Sequence, residues 1–192
     1  MKGLERKKEF VIERERMFAN AIGAAVFEKP KVSFWMVLVP LLFLYFIYRM
    51  QKYKTGRMNF DREFMTTRRK AVDLAVEALT AEVKPNIDQI ARQSGLSDDL
   101  ERPYASWLKA LVDHYMDLLA ANGDSFEAMV RSAYRNRTNF LLTLNRLNTV
   151  EKDFYTALKP RMAATEGAAA IFATIEEHSR RLRRELAESI FA

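Results

Sequence analysis

Cysteine is absent from this chain of 192 residues, and that absence removes several functions at once. Without thiols there is no disulfide framework, no thiolate zinc site, no cysteine-held iron–sulfur cluster and no cysteine nucleophile. Histidine is nearly as scarce, with only His114 and His178. Di-iron bundles use Glu-x-x-His pairs, and the positions three before these histidines are Leu111 and Ile175. The six glycines and five prolines leave few turn signals, as long helices with short connections require. Strand-like alternation of apolar and polar residues is missing. So are a Gly-rich phosphate loop, a nucleophile elbow and paired carboxylates at metal-ligand spacing. No motif of a named protein family stands out. The expectation is a protein without catalytic residues, cofactor or metal.

What is present is an ordinary mixture for a folded chain, 49% hydrophobic and 29% charged. The length suits one domain plus an anchor. A formal charge of +6 and a pI near 9.5 fit either nucleic acid or an anionic membrane surface.

The longest apolar run, Val32 to Tyr48, carries no charge. As a helix it would span roughly 26 Å, at the short end for a bilayer core of about 30 Å. Trp35 lies near one end and Tyr45 and Tyr48 near the other, where amphipathic rings prefer the headgroup region. Arg49, Lys52, Lys54 and Arg57 follow as basic residues close to the membrane. The reading is a single transmembrane anchor over 32–50, with Pro40 kinking it. A re-entrant hairpin turning at Pro40 is the alternative, and the run is short for it. The positive-inside rule puts the C-terminal part in the cytoplasm, in a bacterial inner membrane, although Lys2, Arg6, Lys7 and Lys8 oppose translocation of the N-terminal tail.

Residues 1–31 read as an amphipathic helix. It would lie either along the membrane or against the C-terminal part. Residues 51–192 read as a helical bundle of about four helices, so that the fold class is all-α. A first helix, capped by Asn59 or Asp61, runs through Ala81, and a short one covers Ile87 to Gln93. The next, from about Arg102 to Ala121, has Tyr104, Trp107, Leu108, Leu111, Val112, Tyr115, Leu118 and Leu119 as its core face. Asp124 and Glu127 look like a capping box opening a long helix. Its heptad seam passes through Phe126, Val130, Arg137, Phe140, Leu144, Leu147, Glu151, Phe154 and Leu158. A last helix, Ala168 to Ile190, presents Ile171, Ile175, His178, Leu182 and Leu186.

Three charged or polar features call for partners. Arg131, Arg135, Arg137, Asn139, Asn145 and Glu151 make the long helix unusually polar, the pattern of an interhelical network or a partner surface, with Arg137 needing a carboxylate such as Asp73, Glu77, Asp113 or Asp117. Arg57, Arg62, Arg68, Arg69 and Lys70 could face anionic lipid. The run Arg180, Arg181, Arg183, Arg184 reads as a solvated, ion-paired face. Ile90 to Leu100 faintly resembles a helix-turn-helix, but its second helix would begin with Asp98, Asp99 and Glu101, which phosphates repel. Nucleic acid is therefore not an expected partner. Membrane lipid and a protein partner, or a second copy of the chain, are. The expected role is a membrane-anchored scaffold or accessory subunit, with a membrane-bound sensor as the alternative and a tethered DNA-binding regulator behind it.

Overall fold

The N-terminal helix decides the architecture, because its apolar residues recur at spacings of three and four and need something to cover them. In the computed structural model, which describes residues 2–26, 62, 64–162 and 168–192, helix α1 (Lys2–Val26) is covered by the rest of the chain. Val11, Ala19 and Ile22 are at most 1% exposed. The remaining elements are α2 (residues 64–81), α3 (Ile87–Arg92), α4 (Asp98–Ala120), α5 (Phe126–Tyr134), α6 (Arg137–Leu158), a 3-10 turn (Lys159–Met162) and α7 (Ala168–Ile190). No strand occurs among the described residues, and the chain is an all-helical bundle. No helix among the described residues is long and apolar enough to cross a membrane. The anchor expected over 32–50, with Trp35, Pro40, Tyr45, Tyr48 and Arg49, lies outside the described residues, as do Lys52, Lys54 and Arg57.

Helix α4 lies against α6, α6 against α7, and α7 against α1, which closes back on α4 and α5. The α4 face legible in sequence is the middle of the core: Leu108, Tyr115 and Leu118 are fully buried, with Trp107 and Leu111 beside them. Helix α4 starts at Asp98, four residues earlier than expected, and runs through Pro103. A proline this near the N-terminus forfeits a single ladder bond, to the carbonyl of Asp99. Electrostatics favour the early start, since Asp98, Asp99 and Glu101 sit on the positive end of the helix dipole.

Gly123 makes the tight α4–α5 connection. Its φ is +154°, and a Cβ there would lie 2.6 Å from the Met129 backbone nitrogen. Gly123→Ala is expected to destabilise the fold by about 2 kcal/mol or more, through strain plus backbone collision. A urea unfolding midpoint equal to wild type would contradict this placement.

The long heptad helix is in fact two helices. Arg135 adopts φ +65° as the C-cap of α5, and the side chain of Asn136 caps α6 by accepting from the Asn139 amide at 2.9 Å. Asn is a strong N-cap and a poor interior residue, so the polar middle of that stretch is a helix break. The capping box also shifts by one residue. Ser125, not Asp124, accepts from Ala128, and Glu127 pairs with Arg14 of α1.

Candidate functional site

The densest concentration of chemistry lies in the core, where four charged side chains from four helices meet. Arg68 of α2 is fully buried. Its Nε donates to Glu15 of α1 at 2.9 Å, its Nη2 to Glu151 of α6 at 2.6 Å, and its Nη1 to the Phe64 carbonyl at 3.2 Å. Arg183 of α7 stands 2.8 Å from the other Glu151 oxygen and donates to Asn148 at 2.5 Å. Tyr155 donates to Glu151 at 3.4 Å. Aromatic faces enclose the guanidinium groups: Arg68 lies 3.8 Å from the Phe64 ring centre and 5.7 Å from Trp107, and Arg183 lies 5.0 Å from Phe18.

Burial by itself pushes the Glu151 carboxyl up, but Arg183 and Arg68 outweigh it and hold the group below the ordinary carboxylate range. Burial likewise opposes the Arg68 charge, and Glu151 and Glu15 overcome it, raising its pKa further. Two arginines face two carboxylates, so the formal charges balance, and the cluster ties α1, α2, α6 and α7 together as a positioning device.

This arrangement corrects two expectations. Arg68 is buried rather than on the exposed face with Arg62 and Arg69, and Arg183 is not part of a solvated run. Both lie on the apolar stripes of their helices. Arg68 shares its stripe with Phe64, Ala71, Val72 and Ala75, and Arg183 shares its stripe with Phe172, Ile175, Ser179, Ala187 and Ile190. That in-register placement was the signal available in sequence. Ile171, expected in the core, is 36% exposed because the buried stripe of α7 is rotated toward Arg183.

The polar residues of the former long helix separate. Of the six singled out in the sequence, Glu151 alone joins the buried network. Arg131 donates to the Ile190 carbonyl at 2.8 Å, closing the C-terminal end of α7. Asn139 donates to the Tyr134 carbonyl at 3.0 Å, and the Asn145 carbonyl accepts from Thr149. Arg137 is on the surface, pairing with Glu188 at 2.8 Å rather than with any of the four carboxylates considered for it. Exposed Arg135 lies beside it at the break.

His114 is buried against Tyr134, whose hydroxyl lies 2.5 Å from Nδ1, and the ring stacks on Tyr134 and Phe140. Burial, helped by the Arg183 charge, drops its pKa to about 3. His178 sits at the rim beside Arg181, 2.9 Å away. Among the described residues, no group of three His, Asp or Glu could hold a metal ion.

Two grooves border these features. One, about 330 Å³ between α6 and α7, is lined by Asn145, Asn148, Thr149, Tyr155 and Ser179 next to Glu151. The other, about 420 Å³ between α1 and α2, is lined by Arg16, Arg62 and Arg69 over Ala19, Met65 and Thr66. At the helix-turn-helix-like corner, Asp99 is paired with Arg161 at 2.6 Å, and the groove between α3 and α4 mixes Asp88, Asp98 and Glu101 with Arg92, Arg102 and Lys109.

No family model, no curated protein and no solved structure matches the chain. Its function has to be argued from its own geometry.

Proposed function

We propose that this protein is a membrane-attached helical scaffold, an accessory subunit that holds a protein partner at a membrane face. The observation that carries this reading is the position of α1. Phe18 of α1 and Phe64 of α2 pack at 6.0 Å between ring centres, and Ala19, Ile22, Phe64 and Met65 share one small core. Val26, the last described residue before the apolar run, packs against this core beside Phe64 and Met65, among the first described after it.

A single crossing by residues 32–48 would put α1 and the bundle on opposite sides of the membrane. It would expose Val11, Ala19 and Ile22 and break the ion pairs Lys8–Asp73, Arg14–Glu127 and Glu15–Arg68. A hairpin turning at Pro40 keeps them. Each arm of such a hairpin is about 12 Å long as helix, close to the depth of one leaflet. The short length that disfavours a full re-entrant loop is thus suited to one-leaflet insertion, with Trp35, Tyr45 and Tyr48 at the interface. The basic flank and the positive-inside rule favour the cytoplasmic leaflet.

The partner-facing surface in this reading is the outer stripe of α6. Thr138, Leu142, Asn145, Arg146 and Thr149 are on or near one exposed face, with Leu142 64% exposed. A sensor that passes helix movement across the bilayer needs a spanning helix and is the less favoured reading.

The absence of cysteine makes the test direct. Single cysteines replace exposed Glu9 of α1 and exposed Gln93 after α3, and intact cells are treated with a membrane-impermeant maleimide. Both positions are expected to respond alike, protected together until lysis. Labelling of one with protection of the other would end the one-sided attachment. The scaffold role predicts a co-purifying protein, and a strictly monomeric chain without one would overturn it.

A further inference from the structure

Resting on the one-sided attachment above, we propose that the groove between α1 and α2 is a binding site for the phosphate of an anionic phospholipid headgroup. Among the described residues, the groove has three arginines and no carboxylate in its lining. Arg16 comes from α1, and Arg62 and Arg69 are seven residues apart on one face of the chain segment leading into and along α2. Seven residues correspond to about 10 Å of helix, so the two side chains can approach one phosphate from both ends.

Ala19 and Thr66 keep the floor low between the arginines, and buried Ala19 and Met65 fix its position. All three arginines are exposed, and none has a carboxylate within ion-pair distance among the described residues. Their neighbour Arg68, on the inner side of α2, is fully engaged by Glu15 and Glu151. The same helix thus separates an arginine paired inside from exposed ones that have no carboxylate partner among the described residues. Planar guanidinium groups match phosphate oxygens in a bidentate fashion. Met17, which follows Arg16 in α1, is 56% exposed and offers an apolar side chain outside the groove. Position favours a headgroup as the source of the phosphate, because the groove is bordered by Ala19, Arg62 and Met65, next to the small core that joins the described residues on either side of the apolar run.

The test is flotation of the full chain with vesicles of phosphatidylcholine, alone or mixed with phosphatidylglycerol. Wild type is expected to partition far better onto the anionic vesicles. The variant Arg16→Gln/Arg62→Gln/Arg69→Gln is expected to lose about fivefold per arginine, on the order of a hundredfold in all, while still binding neutral vesicles. A control of equal charge loss, Arg92→Gln/Arg135→Gln/Arg184→Gln, is expected to keep most of the preference. Equal loss in the control would reduce the effect to net charge and overturn the site, as would wild type that binds both vesicles equally well. Binding to neither vesicle would instead overturn the attachment itself. Inorganic phosphate at fixed ionic strength separates the sources. A preference that persists supports the headgroup, and one that phosphate abolishes assigns the groove to a free phosphoryl ligand.

Discussion

Arg68→Met is expected to lower the unfolding free energy by about 3–5 kcal/mol, the usual consequence of removing one partner from a buried ion pair. Methionine fills most of the volume, so a cavity adds little. The cost comes from Glu15 and Glu151, which lose the guanidinium that bridges them at 2.9 and 2.6 Å. Glu151 is only 2% exposed and keeps Arg183 alone. Arg137→Met provides the comparison. Arg137 and Glu188 are each about half exposed, and exposed pairs contribute about 0–1 kcal/mol. Denaturant unfolding of the two variants in one detergent should therefore separate them clearly, and a loss below about 1 kcal/mol for Arg68→Met would show that the cluster is not what fixes the helices. Replacing Glu15, Arg68, Glu151 and Arg183 together by apolar residues of similar size should recover much of the loss, since well-packed apolar groups do about as well as a buried ion cluster.

The second large effect is acid unfolding governed by His114. In the unfolded chain this ring takes a proton near its ordinary pKa of 6.5, whereas in the fold it does so only near pH 3. The unfolded state therefore binds more protons between those limits, and stability falls as pH drops. It is complete above pH 6.5 and declines by up to about 1.4 kcal/mol per pH unit down to about pH 3, a total on the order of 4–5 kcal/mol. Glu151 acts in the same sense but lower, because its depressed pKa is felt only below its ordinary value of 4.5. Asp117 is pushed up by burial and Asp113 and opposes both near pH 4. The slope between pH 6.5 and 4.5 accordingly belongs mainly to His114. His114→Gln retains an acceptor for the Tyr134 hydroxyl and cannot titrate in this range. Its stability should be nearly flat across that window, and a slope unchanged from wild type would show that another group is responsible.

Helix positions were largely legible because they depend on local spacing. The bounds of α7, Ala168–Ile190, and the core face of α4 follow from apolar residues at intervals of three and four. The break between α5 and α6 was legible too, in Arg135-Asn136, but the heptad pattern running across it masked the signal. Both helices present apolar residues to the same core, so the seam continues although the backbone does not.

The charged cluster was not legible in the same way. Arg68 and Arg183 each sit in register with apolar residues, a pattern that says a charge will be buried but not where its partner lies. Glu15 and Glu151 are 53 and 83 residues away from Arg68. Counting charges near the membrane placed Arg68 with its exposed neighbours, because composition does not distinguish the two sides of a helix.

The sequence by itself determined that the chain is helical, that it has no thiol chemistry, and that its longest apolar run is interrupted by Pro40. Those properties depend on residue identity and on a period of 3.6, both local. Only the tertiary structure decided that α1 belongs to the bundle, that its C-terminal end shares a core with the start of α2, and that Arg68 is paired inside while Arg16, Arg62 and Arg69 stay exposed, without a carboxylate partner among the described residues. Each of those depends on which helices abut, and that is set by long-range packing and by the need of every buried charge for a counter-charge from another helix.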